Sequence, residues 1–226
     1  QRSLMMINNI EQIEQYIKTK YQNEASGHDW FHIYRVTYLA LNLTQSQDDF
    51  PYIKLLALLH EELDDKLNPD DALQQLKNIL ADHHIEPSLY PRLIKDIQSI
   101  GFKGGFHQVD RTREAMIVSD ADLLDAMGAI GIARTFQYNG QVKHAPFYDP
   151  ALAKVELNNY ADYRQKKRNA IAHFDEKLLK LKDLIVTDKG QKLANKRHQR
   201  MVQFVEDFFS ELAESGVDIS DRFLIE

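Results

Sequence analysis

Cysteine is absent from all 226 residues, which excludes a disulfide framework and any structural zinc site built on thiolates. Also missing is an apolar run long enough to cross a bilayer. The N-terminal stretch QRSLMMINNIEQIEQYIKTK turns amphipathic and charged before a signal-peptide core could form. The expectation is a cytoplasmic chain with no membrane partner. Basic residues are in deficit, 28 Lys and Arg against 34 Asp and Glu, and the net charge of −6 leaves no global footprint for a nucleic-acid backbone. Polymeric nucleic acid is therefore not an expected partner. No phosphate-loop glycine pattern occurs, so any phosphate recognition must come from a metal and side chains. Strand-like alternation, internal repeats and low-complexity linkers are likewise missing.

What remains is helical periodicity, and the predicted fold is all-α, a single-domain helical bundle spanning 1–226. In NNIEQIEQYIKTKY, Ile10, Ile13, Tyr16 and Ile17 recur three and four apart on one helix face, with Asn8 or Asn9 available as a cap. A second helix is expected from near His28 to about Leu43, and Pro51 is placed to open a third running through His60. Asn68 and Pro69 suggest the start of a fourth, and EPSLYPRLIKDIQSIG ends in Gly101, a plausible stop. The glycines of GFKGGFHQ mark a loop. TREAMIVSDADLLDAMGAIGIARTF reads as one helix whose small residues suggest close packing. The segments VELNNYADYRQKKRNAIAHFDEKLLKLKDLI and KGQKLANKRHQRMVQFVEDFFSELAES read as long amphipathic helices, the latter with Thr187 as cap and Gly216 beyond its end.

Imidazoles and carboxylates cluster in three blocks. GHDWFHIYRV carries His28, Asp29 and His32, LALLHEELDDKL carries His60, Glu61, Asp64 and Asp65, and VSDADLLDAMGAIGIAR carries Asp120 and Asp122. Such groups are what divalent cations take as ligands, and the blocks are read as converging on one cation in a catalytic role. His28 and His32, four apart, are expected one turn above each other on a helix, with Arg35 on the same side, and only one of the two need touch the metal. His28 and Asp29 either face substrate or cap and orient that helix, and His28 is kept as a candidate to support the ligands from behind. His60 and Asp64 repeat the spacing, so a metal at His60 would have a carboxylate one turn away to orient attacking water. The apolar run before HEELDDK carries His60 toward the core, where a buried imidazole needs a partner. Asp120 and Asp122 point to different helix faces, so at most one or two of the aspartates in DADLLDA can serve. His83, His84, His144 and His198 fit an ordinary hydrogen-bonded role.

These blocks, in this order, resemble the signature of the HD-domain phosphohydrolases, specifically a compact bacterial all-α subgroup acting on nucleotides. GAIGIARTF, FYDP, HFDEKLLKLKDL and RHQRMVQF extend the resemblance over nearly the whole chain. The resemblance implies a metal-site core over about 25–135, with C-terminal helices over about 151–216 packing on it. It implies metal ligands at His32, His60, Glu61 and Asp122, with Asp120 in reserve. Glu61 stands where the superfamily has Asp, and its extra methylene moves the carboxylate outward by about one C–C bond.

The implied reaction is metal-assisted hydrolysis of a nucleotide, foremost nucleoside triphosphate to monophosphate plus pyrophosphate. Asp64, with Asp65, would orient the nucleophile. Arg35, Lys66, Lys103, His173 and Lys177 would contact substrate phosphates. Mn²⁺ or Mg²⁺ is the expected cofactor, with Fe, Co, Ni or Zn also admissible. Two other readings stay open. One is a degenerate HD domain that binds metal or nucleotide in a regulatory role because Glu61 replaces Asp; the other is a helical interaction protein with structural histidines. Neither the base specificity nor the oligomeric state follows from the sequence.

Overall fold

The structure is a computed structural model that describes residues 2–25, 27–63, 71–102, 110–144, 146–149 and 169–219. Among the described residues there are nine α-helices and no strand. Two compact units account for the chain, the first formed by Gln1–Gly101 with Val109–Asp122 and the second by Phe102–Gln108 with Leu123–Glu226.

The first unit is built around α3 (Phe50–Leu59), whose sequence is apolar except for Lys54 and whose Tyr52, Ile53 and Leu55 through Leu59 are all buried. A helix hydrophobic nearly all round belongs in a core, and α1 (Arg2–Tyr21), α2 (Trp30–Leu43) and α5 (Tyr90–Ser99) pack against it. Asp49 caps α3 by accepting from the Tyr52 amide at 3.1 Å, and Pro51 stands in its first turn, as the sequence led us to expect. The helix is shorter than expected, because Leu59 is its last residue and His60 is its C-cap.

Three other boundaries move. The first helix already runs from Arg2, so Asn8 and Asn9 lie inside it rather than at its cap, and the Asn9 amide donates to the His84 carbonyl at 3.3 Å. Ile10, Ile13 and Ile17 are buried, whereas Tyr16 is exposed and stacks edge-on with His83. His28 precedes α2 instead of opening it, since Asp29 is the N-cap. Helix α4 (Ala72–Asp82) begins at Ala72 with Asp71 at its N-cap in the left-handed region, while Asn68 and Pro69 lie outside the described residues.

Helix α6 (Arg113–Asp125) does not continue to Phe136 as the small-residue pattern predicts. Met127 is extended and Gly128 adopts φ +70°, a conformation that glycine enters without a Cβ penalty, so the chain turns there and restarts as α7 (Gly128–Tyr138). The small residues do mark close approach: a Cβ on Gly131 would overlap the Ala126 carbonyl, and one on Gly128 would meet Arg197 Cγ at 3.0 Å.

The second unit also breaks the long helix expected before residue 186. Residues 150–168 lie outside the described residues; the rest forms α8 (Ala172–Glu176) and a 3₁₀ segment, Leu178–Leu184. Here Ile171, Phe174, Leu178 and Leu181 are buried, and their mostly three-residue spacing suits a 3₁₀ helix, in which i and i+3 eclipse. Helix α9 (Asp188–Glu214) follows, capped by Thr187 accepting from the Gly190 amide at 3.2 Å and followed by Gly216 at φ +77°. Its Met201, Val205 and Phe209 face the core, which assigns FVEDFFSEL mainly to internal packing.

Candidate metal centre

All the side chains that gather here belong to the first unit. Asp29 accepts from the His32 amide at 2.8 Å, which fixes the start of α2 and with it the His32 ring, fully buried. At the end of α3, His60 Nδ1 lies 2.6 Å from the Ala57 carbonyl. That bond requires a proton on Nδ1 and turns Nε2 toward the other donors as the nitrogen that could ligate an ion. The two Nε2 atoms of His32 and His60 face each other at 3.3 Å. From α6, Asp122 brings Oδ1 to 3.6 Å from His32 Nε2. His32, His60 and Asp122 thus offer three ligand atoms within 4.8 Å of one another, and His28, His32 and Glu61 form a second such group.

Glu61 joins the two groups. Its Oε1 lies 2.8 Å from His28 Nδ1, 2.9 Å from His32 Nε2 and 3.5 Å from His60 Nε2. Burial works to raise the Glu61 pKa, but the charge of His28 and hydrogen bonds from His28, His32 and His60 hold it well below the usual carboxylate range. For His60, burial disfavours the imidazolium, and the hydrogen bond and charge of Glu61, with Asp122 behind them, override it and push the pKa up to about 9. A proton and a divalent cation compete for the same lone pairs, so a nitrogen that holds a proton this well is also one that a cation can claim. Two buried imidazole nitrogens with two carboxylates make a mixed N/O donor set suited to a divalent transition cation, and the residues fit such an ion.

The expected water-orienting residues Asp64 and Asp65, and the expected phosphate contacts Lys66 and Lys103, lie outside the described residues. Helix α3 ends at Leu59, and the chain turns over 60–63. Arg35 is half-buried on α2, one turn beyond His32. His173 and Lys177 belong to the second unit, where the Lys177 ammonium stands 5.1 Å above the Phe102 ring. Among the aspartates of DADLLDA, Asp122 enters a donor group, Asp120 is buried in neither group, and Asp125 binds Arg134 Nη1 at 3.1 Å. His83 has the ordinary role expected of it, with Nδ1 2.8 Å from the Ile79 carbonyl, whereas His198 Nδ1 is buried with no hydrogen-bond partner among the described residues.

Most of what surrounds the centre was not legible in the sequence, which marked only His28 as a candidate to support the ligands. His28 reaches Glu61 directly although it lies before the helix, and Glu62, also buried, pairs through Oε2 with Lys20 at 2.7 Å. Gly101 at φ +93° lies against Asp122, whose Oδ2 would be 3.7 Å from a Cβ there, and Arg111 fastens that corner by donating to the Ser99 and Gly101 carbonyls at 2.6 and 3.3 Å. The position of Gly101 after a helix was readable; the contact with Asp122 was not, since it depends on the tertiary path.

No sequence-family model matches the chain. A protein of known structure from Lactobacillus plantarum matches with a TM-score of 0.83 and 33% identity over 92% of this chain and 98% of that one. YpgQ of Bacillus subtilis is 32% identical over 214 residues, 92% of this chain and 95% of its own length. Its crystal structure in complex with ADP matches with a TM-score of 0.68 at 31% identity, over 90% of this chain and 97% of that one. A protein from Bacillus thuringiensis described as an HD-superfamily hydrolase is 33% identical, with a TM-score of 0.68 and coverage of 92% of this chain and 98% of its own. A likeness of this extent carries the helical fold, and the chain belongs to the HD superfamily of hydrolases.

Proposed function

We propose that this chain is a metal-dependent phosphohydrolase of nucleotides, cleaving nucleoside triphosphates to monophosphates and pyrophosphate. The observation that carries the reading is that His32, His60 and Asp122, two buried imidazoles and a half-buried carboxylate, bring ligand atoms to within 4.8 Å of one another. The ADP bound by YpgQ supports a nucleotide as ligand.

In this reading His32, His60, Glu61 and Asp122 hold the ion. The two imidazoles favour Mn²⁺ over Mg²⁺, which prefers an all-oxygen shell. Bound there, the cation would supply positive charge to a phosphoryl oxygen and acidify water. The Ala57 carbonyl keeps His60 in the ligating tautomer and Asp29 keeps His32 in place. Asp64, with Asp65, is assigned from its position in the sequence to accept a proton from the attacking water. That water oxygen bonds to the α-phosphorus, and the bond to the α–β bridging oxygen breaks as pyrophosphate leaves. Arg35 and Lys66 are assigned to steady the phosphate charge.

The test is turnover of a nucleoside mono-, di- and triphosphate panel with added Mn²⁺, the products separated by anion exchange. The expected products are monophosphate and pyrophosphate, and His60→Ala should lower kcat by at least about 10³-fold, since it removes the support of the ion. Inactivity of the natural protein on the whole panel, with activity appearing in Glu61→Asp, would replace this reading with that of a regulatory domain whose carboxylate has drifted out of register.

A further inference from the structure

One carboxylate oxygen meeting three imidazoles is an unusual load, and the three are not equivalent. His32 and His60 belong with Asp122 to the first donor group, whereas the His28 ring, among the described residues, meets Glu61 and His32. His28 lies in the stretch before α2, where it is held at two points. Its amide donates to Glu24 Oε2 at 3.0 Å, and its ring nitrogen Nδ1 lies 2.8 Å from Glu61 Oε1. The ring stands edge-on to His32 with centroids 5.5 Å apart, so its plane is set as well.

A glutamate has one more rotatable bond than an aspartate, and an unrestrained carboxylate at the end of it would wander among rotamers. Ligating groups must be held to within roughly 0.5 Å of their working position, and in metal sites that task falls to hydrogen bonds from residues behind the ligands. Glu61 sits in the turn after α3, beyond the end of the helix, so the helical backbone does not aim it.

We propose that His28 is a positioning residue for the metal centre: it donates from Nδ1 to Glu61 and holds that carboxylate against His32 and His60, which makes a glutamate workable at this position. The proposal rests on the reading that Glu61 and its neighbours bind an ion. His28 acts through Glu61 and is not itself a ligand.

The test is Mn²⁺ affinity, measured by calorimetric titration on the full chain freed of metal and independent of turnover. Four variants are compared with the natural protein: His28→Ala, His28→Asn, Glu61→Asp and the double variant His28→Ala/Glu61→Asp. His28→Ala should weaken Mn²⁺ binding about 10- to 100-fold, the usual cost of losing such a supporting bond. Asn, whose side-chain NH₂ can take the place of Nδ1–H, should recover most of that loss. In Glu61→Asp the shorter carboxylate no longer reaches His28, so adding His28→Ala should change affinity by less than about twofold, a strongly non-additive cycle. The same loss in both backgrounds would show His28 to be an independent ligand and overturn the proposal; so would an unchanged affinity in His28→Ala. His60→Ala serves as the reference. If it too leaves Mn²⁺ binding intact, the reading of the centre has failed; if it alone abolishes binding, only the role of His28 has.

Discussion

Asp29 shows how a single residue ties local structure to chemistry. Its carboxylate accepts from the His32 amide at 2.8 Å and so both starts α2 and fixes the backbone that carries a buried ligand candidate. Asp29→Ala should cost about 1 kcal/mol of stability, the typical worth of an N-cap. It should also lower Mn²⁺ affinity, because fraying the first turn moves His32. Urea midpoints and calorimetric titration read the two effects separately, and a loss of stability with no change in affinity would detach the cap from the centre. At this scale the sequence was informative about residue types and about pairs that backbone geometry fixes. His32, His60 and Asp122 could be singled out because each lies on or next to a helix in a recognised block. The bond from His28 to Glu61 could not, since a four-residue spacing was read as helical although the helix starts only at Trp30. One cap upstream or downstream changes where a ring points, and the difference lies in φ and ψ at Asp29, not in the composition of the block.

Between elements, the relevant device is the pairing of the start of α6 with the loop ahead of α3. Arg113 opens α6 and grips Asp48 with two hydrogen bonds, Nε to Oδ1 at 2.5 Å and Nη2 to Oδ2 at 3.1 Å, while the Gln45 amide donates to Asp48 Oδ2 at 2.7 Å. The helix carrying Asp122 is thereby tied to the entry of the helix that His60 caps. The bond from Arg113 is the main cause that holds the Asp48 pKa down, burial opposing it and the Gln45 amide assisting. A carboxyl whose pKa is lower folded than unfolded stabilises the fold fully above its unfolded value, near 4, and loses that contribution as pH falls through the folded value. Asp48→Asn should therefore cost about 1 kcal/mol at pH 7, allowing for the water around a half-exposed guanidinium. The gap in urea midpoints between variant and natural protein should narrow as pH falls below the unfolded value near 4 and through the lower folded one; a gap unchanged in acid would refute the assignment. Elements with strong end signals were legible from sequence, as Asp49 with Pro51 and Thr187 with Gly216 illustrate. The turn at Met127–Gly128 was not, because glycine among alanines reads equally as a helix-packing site or as a left-handed turn. The 3₁₀ segment Leu178–Leu184 was hidden for a related reason: apolar spacings of three and four satisfy both helix types until packing selects one.

At the scale of the molecule, every side chain of the two donor groups lies in the first unit, and so does Trp30, the one tryptophan of the chain. Trp30 is buried at the first position of α2, two residues before His32, and its ring packs against Tyr34 with centroids 5.7 Å apart. Its fluorescence therefore reports melting of the helix that carries the centre. An ion that binds the folded state alone stabilises it by RT ln(1 + [L]/Kd), about 2.7 kcal/mol at a hundredfold excess over Kd. In a chain of this length each kcal/mol raises the midpoint by roughly 2–4 °C, so saturating Mn²⁺ should lift the Trp30 transition by about 5–10 °C and excess chelator should reverse it. The natural protein is the right material, since unfolding exposes the imidazoles to solvent and any metal bound to the unfolded chain would only shrink the shift. In His60→Ala the shift, measured from that variant's own metal-free midpoint, should fall to near zero, and the metal-free midpoint itself should drop with loss of the buried ring and its bond to the Ala57 carbonyl. Equal midpoints for the natural protein with and without saturating Mn²⁺ would mean that the four converging side chains bind no ion, and the hydrolase would then need another source of positive charge at its centre.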